Sequence, residues 1–320
     1  MQRYSKNPII TRSDIPRLEP HLVDVSSVFN PGATRYRDQT LLLLRVQNRG
    51  RETFILPATS SDGVNFKIRP EPVTFTGIED LGYAVFHVYD PRITPIEDYF
   101  CVTFSVDTDR GCRIGLARTS DFGTYSFIGL PFDEDTRNGV LFPERIDGRY
   151  MMLHRPNRAL LDSGVASGSA IELASSDDLK LWRPEGVVME GRFHYWDELI
   201  GSGPPPLKTR RGWLHVYHGV ATHFASSNIY QAGVVLLDLE HPERVLARSR
   251  YNVLEPRELY ELVGQVPNVV FPSGLVPAQV DAEGFVGENT ELQVYCGAAD
   301  TSVCLATTTV RRLLEACDDV

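Results

Sequence analysis

Short apolar runs rich in β-branched and aromatic residues recur along the chain, separated by Gly, Pro, Asn and Asp. That is the punctuation of strands and turns. Helical periodicity is nearly absent, and the best candidate helix is "TTTVRRLLEACDD" close to the C-terminal end. The pattern predicts an all-β chain with a short C-terminal helix.

The runs are also paired: an apolar strand, a polar break, a second apolar strand, then a turn with Ser and Asp. "TLLLLRVQ" is followed by "TFILPATSSDGVNF", "YFCVTFSV" by "RIGLARTSDFGTYSF", "RYMMLHRP" by "AIELASSDDLKLW", "GWLHVYHGV" by "YQAGVVLLDLEHPERVL", and "LQVYCGAAD" by "VCLATTTV". Five copies of an antiparallel unit that cannot bury both faces alone predict a five-bladed β-propeller, with residues 1–320 as one catalytic domain. A pair of β-sandwiches is the rival. It gives no reason for polar signatures to return at corresponding strand ends: "RVQ", "DPR", "HRP", "YHG" and "GAAD". In a propeller those ends converge on the central channel.

Composition narrows the partners. With 320 residues, 42% hydrophobic and 23% charged, the chain buries a substantial core. The formal charge of -10 argues against a nucleic-acid groove or an anionic membrane. No apolar run approaches the roughly 18 residues of a membrane span, and "MQRYSKNPIITRSD" lacks a signal-like apolar core. The chain reads as soluble and cytoplasmic, with self-association left open. Five cysteines without a CxxC pair read as reduced and buried. Zinc spacings, a GxSxG elbow and nucleotide-binding glycine patterns are absent from the sequence, so no metal and no organic cofactor is expected.

Several polar groups stand where a site would need them. Asp90 and Arg92 flank Pro91 in "HVYDPRITPIEDYF", which reads as a bend with Asp90 biased toward extended geometry; the group is either a held acid or a surface ion pair. Arg45 and Asp300 end very apolar strands and require either a ligand or each other. Asn30 precedes a Pro-Gly turn and either aims at a sugar hydroxyl or closes the ring. Glu144, Arg145, His154, Arg155, Lys208, His218 and His223 supply loop charges or an anion pocket, to which Tyr230 is added. Phe193, Tyr195 and Trp196 lie beside Asp197 and Glu198 in "GRFHYWDELIGSGPPP", as a sugar site wants or as blade packing requires.

In family order, "FNPGA", "YDPRI", "FPERIDGRYMMLHRP", "GSGPPPLKT", "RGWLHVYHGV", "AGVVLLDL", "VPNVVFPSG" and "YCGAAD" resemble glycoside hydrolase family 130 over nearly the whole chain. That family consists of five-bladed propellers acting on β-mannosides. The resemblance implies inverting cleavage with Asp90 as general acid, its proton relayed through a mannose hydroxyl. It also implies that Asn30, Arg45, Arg92 and Asp300 hold the mannose; Glu144 and Trp196 are added as substrate-binding candidates. Arg155 and His218 match phosphate-site positions of the family's phosphorylases, and Lys208 and Tyr230 join them in the expected anion pocket. Phosphorylases of that family carry a Lys or Arg shortly before "GxGPPP", whereas "WDELIGSGPPP" is one residue shorter with Glu198 and Leu199 there. A carboxylate in place of a cation weakens phosphate binding and offers a base for water.

The expectation is therefore hydrolysis of short, first of all β-1,2-linked, mannosides from the non-reducing end, with Glu198 as general base. The alternatives are a phosphorylase of β-1,2- or β-1,4-mannosides that consumes inorganic phosphate and releases α-mannose 1-phosphate, a sugar-binding propeller without turnover, and an arabinan-active five-bladed glycosidase.

Overall fold

A computed structural model describes residues 1–160, 166–222 and 227–318. Five antiparallel sheets follow one another in chain order. Blade one is built on Val25–Tyr36, Gln39–Asn48, Thr53–Ser60 and Lys67–Ile68; blade two on Val85–Ile96, Tyr99–Thr108, Gly111–Thr119 and Tyr125–Gly129. Blade three comprises Thr136–Leu141, Tyr150–Pro156, Ala170–Ser176 and Trp182–Glu190; blade four comprises Leu199–Ser202, Gly212–Ala221, Ile229–Leu237 and Val245–Arg248. Blade five holds Val270–Pro277, Glu291–Ala298 and Ser302–Thr309, and its outermost strand is Gln2–Arg3 from the other end of the chain. This is a five-bladed β-propeller whose ring is closed by its N-terminal strand. The expected C-terminal helix is present at Val310–Asp318. No helix among the described residues is long and apolar enough to cross a membrane.

The core lies between blades. In Gln39–Asn48, Leu42, Leu44 and Val46 pack toward blade five, whereas Leu41 and Leu43 pack toward blade two. A strand buried on both faces reads as a continuous apolar run rather than an alternating one. The same division puts Tyr150 and Met152 against blade two, with Met151 and Leu153 against blade four. The Ser-Asp turns recur as one hydrogen-bonded device: Ser60, Thr119 and Ser176 accept from the backbone N–H of Gly63, Phe122 and Leu179, and Asp62, Asp121 and Asp178 accept from the next amides.

One expectation about the backbone fails. "HVYDPRITPIEDYF" is not two strands around a bend, because Val85–Ile96 runs through it as a single strand. The register slips by one residue between Tyr89↔Ser105 and Arg92↔Thr103, so Asp90 and Pro91 form a β-bulge. Asp90 has φ 52, in the left-handed region rather than extended. The bulge recurs on the inner strands at Asn30 (φ 46) and Asn138 (φ 55). Pro is tolerated there because a bulge residue owes no ladder hydrogen bond.

Ring closure yields a stability prediction. Arg3 donates through Nε and Nη2 to the two oxygens of the buried Glu261, each at 2.8 Å, tying the closing strand to the segment that follows blade four. Arg3→Ala removes both charge-assisted bonds and is expected to cost about 2 kcal/mol. Urea unfolding of the single variant, compared with the Arg3→Ala/Glu261→Gln pair, measures it.

Candidate active site

The apolar series of the second strands end in polar residues at one mouth of the channel. Leu41 and Leu43 lead to Arg45, Met151 and Leu153 to Arg155, and Leu214 and Val216 to His218. In blade two the strand ends at Asp107, and in blade five the turn after the strand carries Asp300. The inner-strand bulges add Asn30, Asp90 and Asn138. All eight line a cavity of about 360 Å³, together with Tyr89, Arg137, Ser167, Tyr230, Val266 and Phe271.

Of the carboxylates on this cavity, Asp90 accepts two side-chain hydrogen bonds and Asp107 one. The Asp90 Oδ1 accepts from Asn30 Nδ2 at 3.0 Å and from Arg45 Nη1 at 2.9 Å. Arg45 is itself fixed between the rings of Phe29 and Tyr89, each 4.4 Å from its guanidinium carbon. Burial pushes the Asp90 carboxyl up, but Arg45, Arg92 and the Asn30 amide together hold it below its ordinary value. Asp300 goes the other way: burial raises it to about 6, against the pull of Arg45 and with the help of Asp90's charge. Two acids on one cavity are thus shifted in opposite directions.

The opposite wall is cationic. Arg137 and Arg155 are direct cross-strand partners on adjacent strands of blade three. Like charges in that position repel. The Nε of each is buried and has no hydrogen-bond partner among the described residues; Arg155 reaches only Asn157 Oδ1, at 2.8 Å. Burial, and then Arg137, bring Arg155 down to about 10. His218 stands against the Phe271 ring, 4.6 Å between centroids, and burial followed by Arg155 and Arg92 keeps its imidazole neutral. Arg137 has Cys112 and Asp107 beside it, so what an anion here would complete is Arg155 and the unpartnered Nε of Arg137.

The sequence missed Arg137, Asn138, Asp107 and Tyr89. Asp107 carried the same signal as Arg45, a charge ending an apolar strand. Tyr89 donates to Asp107 Oδ1 at 2.7 Å.

Other expected site residues go elsewhere. Glu198 is not on this cavity, and its Oε2 accepts from the Thr222 hydroxyl. The aromatic loop is scaffold: Trp196 stacks on Tyr217 at 5.8 Å and donates to the Arg250 carbonyl. Between them lies fully buried Asp197, which accepts from Arg192 twice at 2.8 Å, from Arg248 at 2.6 Å and from Tyr217 at 2.8 Å. Glu144 and Lys208 pair with each other at 2.8 Å beside a second cavity at the opposite mouth. Arg92 is buried, with Nε and Nη1 on backbone carbonyls and Nη2 without a partner among the described residues, and it does not line the cavity. His154 is sandwiched against Phe132, and Arg145 pairs with Glu97. His223 lies outside the described residues.

A sequence profile described as β-1,4-mannooligosaccharide phosphorylase matches residues 1–319, and the chain belongs to glycoside hydrolase family 130. It is 34% identical over 319 residues to the β-1,4-mannooligosaccharide phosphorylase of Ruminococcus albus, covering 96% of this chain and 88% of that one. It is 30% identical to the 4-O-β-D-mannosyl-D-glucose phosphorylase of Bacteroides fragilis, covering 97% and 81%. The solved β-1,2-mannobiose phosphorylase of Listeria innocua, in complex with β-1,2-mannobiose, superposes with a TM-score of 0.84 over 99% of both chains at 29% identity. These relatives are phosphorylases, which does not support the expectation that water is the nucleophile.

Two stability outcomes follow from the buried acids. Asp197→Ala strands two arginines and is expected to cost about 3–5 kcal/mol in chemical unfolding. Asp300, with its raised pKa, is buried at little cost while protonated and burdens the fold as pH rises through about 6. Asp300→Asn should therefore raise the melting temperature most at about pH 8, by less as pH falls below about 6, and hardly at all near the ordinary carboxyl value of 3.8.

Proposed function

We propose that the chain is an inverting phosphorylase of short β-1,2- or β-1,4-linked mannosides, removing one mannose at a time from the non-reducing end. The observation that carries this reading is the Arg137–Arg155 pair, two partly unsatisfied guanidiniums opposite each other on the cavity wall. Glu198, the base that hydrolysis required, faces Thr222 instead.

In this reading inorganic phosphate sits against Arg137 and Arg155, with His218 as a neutral donor and Tyr230 beside it. A phosphate oxygen attacks the anomeric carbon from the α face as the β-glycosidic bond breaks, giving α-mannose 1-phosphate. Asp90, held low in the sugar-free site, must take up a proton once substrate and phosphate are bound, and it passes that proton through a mannose hydroxyl to the departing oxygen. The balance closes because hydrogenphosphate loses one proton, which restores Asp90, and the shortened sugar gains the one that Asp90 gave up. Asn30, Arg45 and Asp300 hold the mannose.

Incubating the protein with β-1,2- or β-1,4-mannobiose should yield mannose 1-phosphate only when phosphate is present. Free mannose formed equally without phosphate would overturn the reading in favour of hydrolysis. Asp90→Asn should lower kcat by about 10²–10⁴-fold; a variant that binds sugar unchanged, from a wild type that turns nothing over, would indicate a binding protein.

A further inference from the structure

Arg92 is fully buried, yet it belongs to neither the sugar pocket nor a carboxylate pair. Its Nε donates to the Gly203 carbonyl of blade four at 2.8 Å. Its Nη1 donates to the carbonyls of Asp90 at 3.1 Å and Pro91 at 3.3 Å, the two bulge residues of blade two. The guanidinium lies over the Phe271 ring of blade five, 5.4 Å from its centroid. One side chain thus touches three blades beneath the cavity floor.

The anchor it grips is rigid. A Cβ on Gly203 would meet Val216 O at 2.5 Å and Pro272 O at 3.0 Å, so the Gly203 backbone is wedged between blades four and five. Gly203 N–H also donates to Val216 O at 3.2 Å. A bulge residue at φ 52 is held only if its surroundings over-determine it. Asn30 and Arg45 hold the Asp90 carboxylate, but among the described residues Arg92 is the side chain that holds its backbone.

We propose that Arg92 is a positioning residue that acts through Asp90, clamping the Asp90–Pro91 bulge to the Gly203 carbonyl, and that it does not bind the sugar. The inference rests on Asp90 being the acid of the proposed reaction. Two consequences separate the clamp from a sugar ligand. Geometry at the acid affects turnover, and a displacement near 1 Å can cost about 100-fold. Charge also matters, because Arg92 helps Arg45 hold the Asp90 carboxyl low against burial. The remaining groups facing Asp90 are Asn30 from blade one and Asp300 from blade five; Asp107, Arg137, Arg155 and His218 lie further round the cavity.

The test uses Arg92→Lys and Arg92→Gln in the full chain. Both are expected to lower kcat for phosphorolysis by about 10–100-fold while the KM for mannobiose stays within about twofold of wild type. Asp-selective ¹³C carboxyl titration, with Asp90→Asn to assign the signal, should show the Asp90 midpoint moving up in Arg92→Gln and staying near wild type in Arg92→Lys. A raised mannobiose KM at unchanged kcat would make Arg92 a sugar ligand and overturn the clamp. Loss of melting temperature with unchanged kcat and Asp90 midpoint would make it merely structural and overturn it equally. If Arg92→Gln does not fold, Arg92→Lys alone decides through the kcat and KM split. If the wild type shows no phosphorolysis, the functional reading fails by itself, and the carboxyl titration of the apo protein still decides whether Arg92 acts on Asp90.

Discussion

Five strands converging on one axis leave no room for ordinary backbone, and the site is a consequence of that crowding. A Cβ on Gly32 would stand 2.7 Å from Pro91 O, and one on Gly203 would stand 2.5 Å from Val216 O. At such approach the inner strands cannot keep a regular ladder. They bulge at Asn30, Asp90 and Asn138, and each bulge turns a polar side chain onto the channel mouth. The same device that packs the propeller therefore builds its chemistry.

Electrostatics then divides the pocket. On one side Asp90 is kept ionised by Arg45, Arg92 and an amide, while Asp300 is raised toward neutrality by burial. On the other, Arg137, with Asp107 near it, and Arg155 face each other across a strand pair, each with an unpartnered Nε among the described residues. Folded proteins rarely leave buried cations unbalanced without a ligand to complete them. In the proposed function an anion recovers the cost of that imbalance, an arrangement that favours binding over stability.

Much of this was legible in the sequence. Doubly buried second strands write themselves as unbroken apolar runs, so five blades and the polar residues ending those runs, Arg45, Arg155, His218 and Asp300, could be read directly. Inner strands were harder. Bulges at "FNPG" and "YDPR" carry the residues of turns, so two continuous strands resembled bends, and Asn138 in "TRNGVL" carried no signal that distinguished it. Arg137 was missed because its meaning depends on standing opposite Arg155, a register that no local pattern records. The aromatic loop misled for the converse reason: Trp196 beside Asp197 and Glu198 looks like a sugar platform until Arg192 and Arg248, distant in sequence or turned inward, prove to be the partners of the acid.

The central claim is that the Arg137–Arg155 wall is built for a phosphate. Calorimetric titration of inorganic phosphate into the sugar-free protein, with Arg155→Gln alongside, tests it most directly. The account predicts saturable one-site binding in the wild type, weakened at least about tenfold in the variant as one charge-assisted contact is lost. Phosphate binding that is absent, or equal in the two proteins, would contradict it.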